Sequence, residues 1–146
     1  MMTLQDRLRP LLTLPFVPHV ASFLLRVVTG ALLVWHGASK VFEGYTPLIE
    51  GLTQRGWPLP AFQAFMASYI EFAGGILLVV GLFTRPVALA VIIQFVIITF
   101  VFHAEDPFKV QEKAFLFLLL GTYLFLVGPG RWSVDARLFD QGAQRN

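Results

Sequence analysis

Apolar residues in this chain gather into four long runs, roughly residues 20–42, 61–83, 86–103 and 107–127, separated by short polar punctuation. A hydrocarbon core about 30 Å thick needs about 20 helical residues at 1.5 Å of rise each. The first two runs reach that length outright. The third is short between Pro86 and Phe102 and spans only by borrowing His103 and its flanks or by sitting in thinned bilayer. The fourth is uncharged only from Ala114 to Val127, so it must begin near Pro107, with Asp106 as N-cap and Lys109, Glu112 and Lys113 in its first turns. Thr84-Arg85-Pro86 and Ala104-Glu105-Asp106 are turns short enough to force antiparallel neighbours. Gly128-Pro129-Gly130 closes the last run and leaves residues 131–146 as a polar surface tail. The pattern predicts an all-α, up-down, four-helix bundle in a membrane, as a single domain over 1–146.

Two further segments read as interfacial. In Leu4 to Leu14 the leucines at 4, 8, 11 and 12 share a face opposite Asp6, Arg7 and Arg9. In the long connection from Glu43 to Pro60, Thr46-Pro47 starts a short helix and Gly56-Trp57-Pro58 stops it; it reads as a lid or as a loop anchored by Trp57. Basic residues before Phe23 to Trp35 and small residues after it resemble a signal peptide. An uncleaved span is expected instead, because the run starts some twenty residues in and Met1 is retained.

Composition narrows the chemistry. With 56% hydrophobic and only 14% charged residues the chain suits lipid as its solvent. The net charge is +2, but the eleven Lys and Arg are scattered singly, which argues against nucleic acid. Zero cysteines exclude a disulfide, a thiol relay and a Cys-ligated cluster, so electron chemistry needs a bound cofactor or a redox partner. Arg7, Arg9, Arg85, Arg131, Arg137 and Arg145 on one side against Lys40, Arg55, Lys109 and Lys113 on the other predict that both termini are cytoplasmic.

Charges inside the spans carry the functional argument, since each costs at least about 2.5–3.5 kcal/mol near the bilayer centre. Arg26 and Glu71 lie ~12 and ~18 Å from the same ends of their helices. The expectation is a buried ion pair between them, with Gln94 as a further partner, placed by small-residue faces at Gly30 and Gly37 and at Ala67, Gly74 and Gly81. Such a pair either fixes which helices meet or takes part in chemistry. Nearer the other end, His36, Lys40, His103 and Glu112 fall at one depth. They could hold and protonate a quinone headgroup or an anionic substrate. In the plainer reading, Lys40 snorkels to the interface, His36 meets a carbonyl and Glu112 pairs with a neighbouring lysine. A haem between His36 and His103 lacks a supporting signature, and no metal site or intrinsic cofactor is expected. Phe95, Phe100, Phe115 and Phe117 read as lipid-facing or core packing.

Several of these residues stand in a recognisable order: Leu25-Arg26 before Gly30, Trp35-His36-Gly37 with Lys40, Ile70-Glu71-Phe72 with Gly74-Gly75, Gly81-Leu82-Phe83-Thr84-Arg85, and the stretch from Gly128 to Asp135. The chain thereby resembles the DoxX family of bacterial four-span membrane proteins, named for a subunit of thiosulfate:quinone oxidoreductase. The resemblance covers about Ala21 to Asp135. It implies a four-span fold in a bacterial inner membrane, a link to quinone-coupled or redox-stress processes, and Arg26, His36, Lys40, Glu71 and Arg85 as functional residues. Three functions fit: a quinone-interacting subunit of an oxidoreductase that works with a redox partner, an accessory or assembly factor for another membrane protein, and a small transporter. A homo-oligomer is compatible with each.

Overall fold

A computed structural model describes residues 18–143. The chain forms α1 (Pro18–Phe42), α2 (Thr46–Gln54), α3 (Pro60–Val80), α4 (Thr84–Ile97), which runs on into a π-helical turn (Ile98–Phe102), α5 (Phe108–Val127) and α6 (Val134–Ala143). No strand occurs among the described residues. Four helices are long and apolar enough to cross a membrane: 19–42, 60–80, 84–102 and 108–127. The expected helix over Leu4 to Leu14 lies outside the described residues.

Helix ends explain where the observed boundaries differ from those expected. The second span stops at Val80, not Phe83, because Gly81 takes a left-handed conformation (φ 74°) and Phe83 another (φ 51°). The third span therefore starts two residues before Pro86 and reaches 19 residues without His103. In the fourth, Asp106 does not cap: Pro107 occupies the cap position and the helix begins at Phe108.

The four spans pack as two close pairs, α1 along α3 and α4 along α5, with fewer contacts between the pairs. Small residues set the closest approach of α1 and α3. A methyl group built on Gly30 would sit 2.6 Å from the Gly75 carbonyl oxygen, and one on Gly37 would sit 2.5 Å from the Phe72 nitrogen. Gly75, not Gly74, faces α1; Gly74 packs against Val87 of α4. Leu33, Leu78, Ala88, Val91, Phe95, Phe117 and Leu124 fill the interior, with Phe95 and Phe117 stacked 5.0 Å apart. Leu24, Trp35, Phe62, Ile93, Phe100 and Leu126 stay exposed, as lipid-facing side chains do in a bundle whose backbone bonds are satisfied within each helix.

Two ends can be distinguished: a tail end, where α3 meets α4 and α5 meets α6, and a loop end, which carries α2. At the tail end residues 132–135 are not a free surface tail: Ser133 is buried and Val134 and Asp135 are half-buried, while the Trp132 ring stays exposed. They are drawn into the base of the bundle by Arg26, whose side chain is fully buried. Arg26 Nη1 donates to the carbonyls of Leu78 (2.6 Å) and Val79 (2.9 Å), and Nη2 donates to that of Trp132 (2.5 Å). The carbonyls of residues 78 and 79 belong to the last turn of α3, where the helix supplies no i+4 partner (Leu78 has only the Gly81 cap N–H, at 3.1 Å) and carries partial negative charge. Asp135 completes the junction. Its carboxylate accepts the Phe83 and Thr84 N–H groups at 2.8 Å each, and its own N–H donates to the Gly81 carbonyl at 2.9 Å.

A side chain on Gly81 would collide with the Arg26 guanidinium and come within 2.6 Å of Ser133 Cβ. Gly44 also has positive φ (97°) but has open space around it. Gly81→Ala and Gly44→Ala should therefore share a backbone cost of about 1–2 kcal/mol. Gly81→Ala alone should lose a further ~3–5 kcal/mol as the buried guanidinium is displaced. Thermal unfolding of both variants in one detergent, read by circular dichroism, measures the difference.

Candidate functional site

The glycine contacts fix the register of α1 against α3, and the register decides which buried charges meet. Gly37 opposite Phe72 and Gly30 opposite Gly75 place Arg26 beside residues 78 and 79, roughly two helical turns or ~11 Å from Glu71. The expected Arg26–Glu71 pair does not form. Glu71 instead takes Lys40 and Gln94: Lys40 Nζ donates to Oε2 at 2.5 Å and Gln94 Nε2 donates to Oε1 at 2.9 Å. Glu71 is 3% exposed and Gln94 7%, whereas the Lys40 side chain is 33% exposed, so one end of the triad reaches toward a polar boundary. The three residues come from α1, α3 and α4, and the Gln94 bond crosses between the two helix pairs. That link matters because direct packing between the pairs is sparse.

The triad separates two cavities. The larger, about 460 Å³, opens between α2, α3 and α4, and its walls are mostly apolar, including Trp57, Met66, Ile70, Ile93 and Phe102, with Lys40, Glu71, Gln94 and His103 as its polar members. A groove lined by Met66, Tyr69, Ile70, Gly74, Val87 and Ala90 continues it along the α3–α4 seam. The smaller cavity, about 280 Å³, lies toward α5 and brings His36, Lys113, Ala114 and Phe117 to the same Lys40, Glu71 and His103.

Local sequence explains these placements. α1 ends near the level of Glu71, so the first turns of α3 project past it and α2 folds over them, with Leu52 buried beneath. The π turn, closed by His103 N–H donating to the Ile98 carbonyl (3.0 Å), widens the helix by one residue just before His103. His103 Nδ1 lies 2.6 Å from Asp106 Oδ2. An ionised carboxylate only accepts, so Nδ1 carries the proton, and in the neutral imidazole Nε2 is the acceptor. Gln111 Nε2 donates to the carbonyls of His103 (2.6 Å) and Asp106 (2.8 Å), which fixes this corner. Arg55 lies 4.2 Å over the Phe102 ring and Trp57 packs edge-on against it, tying the loop to the mouth of the larger cavity.

The structure thus brings His36, Lys40, Glu71, Gln94 and His103 around one centre, with His36 edge-on to Phe117 at 5.9 Å. It leaves out three of the expected residues. Arg26 serves the tail-end junction, and Glu112 is exposed and lines neither cavity. One residue is about 100° on a helix, so Lys113, though exposed, lines the smaller cavity where Glu112 does not. Arg85 lies at the tail end. Asp135, Asp106 and Lys113 were not singled out for these positions; Asp135 alone had a signal, as the last member of the Gly128-to-Asp135 stretch.

A model of the DoxX family matches residues 21–104. The chain belongs to the DoxX family. It is 32% identical over 122 residues to a Bacillus subtilis (strain 168) protein named "Putative oxidoreductase CatD", covering 83% of this chain and 89% of that one. It is 30% identical over 129 residues to an uncharacterized protein of Haemophilus influenzae, covering 84% and 92%. It is 27% identical over 123 residues to the "Inner membrane protein YqjF" of Escherichia coli K12, covering 82% and 92%. No solved structure matches the chain. The match to the DoxX model takes in every residue of the triad as well as Arg26, His36 and His103, and it ends before Lys113 and Asp135.

Removing Lys40 should leave the Glu71 carboxylate with Gln94 as its sole partner. Lys40→Met is expected to lower stability by about 1.5–3 kcal/mol, and Lys40→Met with Glu71→Gln should recover most of the loss. Thermal unfolding of the two single variants and the double variant in detergent gives the coupling directly; independent, additive losses would contradict the pairing.

Proposed function

We propose that this DoxX-family protein binds a membrane quinone as a subunit of an oxidoreductase system. The observation that carries the reading is the apolar cavity of about 460 Å³ that ends on Lys40, Glu71, Gln94 and His103 and continues as a groove along the α3–α4 seam. A quinone needs a polar end for its carbonyl oxygens and a dry channel for its isoprenoid tail, and few sites offer both. Lys40 uses one Nζ donor on Glu71 and keeps others for a headgroup oxygen. Gln94 Oε1 is a buried acceptor without a protein partner, suited to a quinol hydroxyl. A bound quinone would supply two-electron, two-proton chemistry. Glu71 and His103 Nε2 are the groups of this chain that could hold or move a proton beside it. With no cysteine in the chain, electrons would arrive through a partner protein. The name of the Bacillus subtilis relative, "Putative oxidoreductase CatD", supports the same class.

The accessory-factor reading relied on small-residue faces left free for another protein. Gly74 and Gly81 are both buried, against Val87 and against Arg26 and Ser133, which weakens that basis. For the membrane, the name of the Escherichia coli relative supports the inner membrane. The arginines at 85, 131 and 137 support a cytoplasmic tail end.

Titrating a short-tailed ubiquinone into protein purified in mild detergent should quench the fluorescence of Trp57, which lines the cavity, with saturation. Ala67→Phe, which fills the cavity, should abolish the signal, and Glu71→Gln should weaken it by roughly 10-fold or more. A stably folded wild-type protein with no saturable response would sink the proposal. Topology is testable because the chain has no cysteine. A cysteine placed at the exposed position Arg137 should be protected in intact cells from a membrane-impermeant thiol reagent, while one at the exposed position Thr53 should react.

A further inference from the structure

A third cavity lies at the tail end, away from the triad. It has a volume of about 730 Å³ and is bounded by α1, the start of α4 and the turn after α5. Arg85 and Arg131 both line it, with His19 beside them and Phe83 and Val127 on its apolar side. The Arg85 guanidinium does not extend away from the protein. A methyl group built on Gly128 would be 3.3–3.6 Å from its Nε, Nη2 and Cζ, so the group lies against the backbone of the Gly128-Pro129-Gly130 turn.

The charge balance of this cleft is one-sided. Among the described residues, neither Arg85 nor Arg131 is ion-paired. The carboxylate that lines the cleft, Asp135, is occupied by the Phe83 and Thr84 N–H groups and sits within electrostatic reach of Arg26. Two guanidinium charges are therefore available at a span end. Phe83 and Val127, each about half exposed, flank them on the surface that faces acyl chains. Guanidinium forks match phosphate oxygens, and basic clefts between helices at a membrane face are where anionic headgroups are held.

We propose that this cleft binds the phosphate of an anionic membrane phospholipid, with Arg85 and Arg131 on the phosphate and Phe83 and Val127 against the first carbons of an acyl chain. The apolar rim favours a lipid over a free phosphate compound, because a soluble phosphate would have no use for it. The site is independent of the quinone reading.

The test uses full-length protein in nanodiscs and in detergent, with phosphatidylglycerol, phosphatidylcholine or inorganic phosphate added. Native mass spectrometry and thermal unfolding are the readouts. Phosphatidylglycerol should be retained and should raise the unfolding temperature, whereas phosphatidylcholine and inorganic phosphate should not. Arg85→Gln with Arg131→Gln should weaken phosphatidylglycerol binding roughly 10–30-fold. Arg137→Gln, exposed and outside the cleft, should leave it unchanged. Equal binding of both lipids, or equal loss in Arg137→Gln, would overturn the proposal. Stabilisation by inorganic phosphate matching that of the lipid would overturn the lipid assignment. Should the double variant not fold, Arg131→Gln alone serves, since its side chain is exposed; undiminished affinity there also refutes the site.

Discussion

A guanidinium buried in a membrane bundle must be solvated by the protein, and Arg26 is solvated by backbone. The last carbonyls of α3, left over by the helix, and the carbonyl of Trp132 replace the water the charge has lost. This choice organises the tail end. It stops α3 at Gly81, where no other residue leaves room for the guanidinium, and it pulls the segment after α5 under the bundle. Asp135 is thereby placed to cap the start of α4 and to support the left-handed Phe83. Three distant pieces of sequence are joined by one charge.

With Arg26 engaged there, Glu71 is free to be bound elsewhere. The close glycine packing of α1 on α3 carries Lys40 to it, and Gln94 reaches it from the other helix pair. Because the two pairs touch sparingly, the space between them remains as cavities on either side of the triad. The packing that makes α1 and α3 rigid also leaves an opening beside the polar centre. A buried polar cluster bordered by dry, lipid-accessible space is the physical basis of the quinone reading.

Both cations of α1 thus end up bound within the bundle, and they differ in kind. Arg26 has fixed backbone partners and lines none of the cavities described above. Lys40 has one carboxylate partner, spare donors and two cavities at its tip. The first suits a structural joint and the second a ligand site. The expected Arg26–Glu71 pair would have joined two separate devices into one.

The sequence by itself determined the four spans, their antiparallel order, the helix in the long connection and the membrane as solvent. Each of these follows from the length of an apolar run or from a local stop such as Gly56 or Gly128. It also singled out the residues too costly to bury without partners, and His36, Lys40, Glu71, Gln94 and His103 do meet. Which charge meets which was decided only in three dimensions. Counting residues from helix ends placed Arg26 and Glu71 at depths that long side chains could bridge, but the register of α1 on α3 is set by where glycine backbones touch, and that contact separates them by about two turns. The placing of Lys113 rather than Glu112 at the smaller cavity, the offset made by the π turn before His103 and the role of Asp135 had the same origin. Each depends on a rotation or contact between segments far apart in sequence, and no local pattern of residues encodes it.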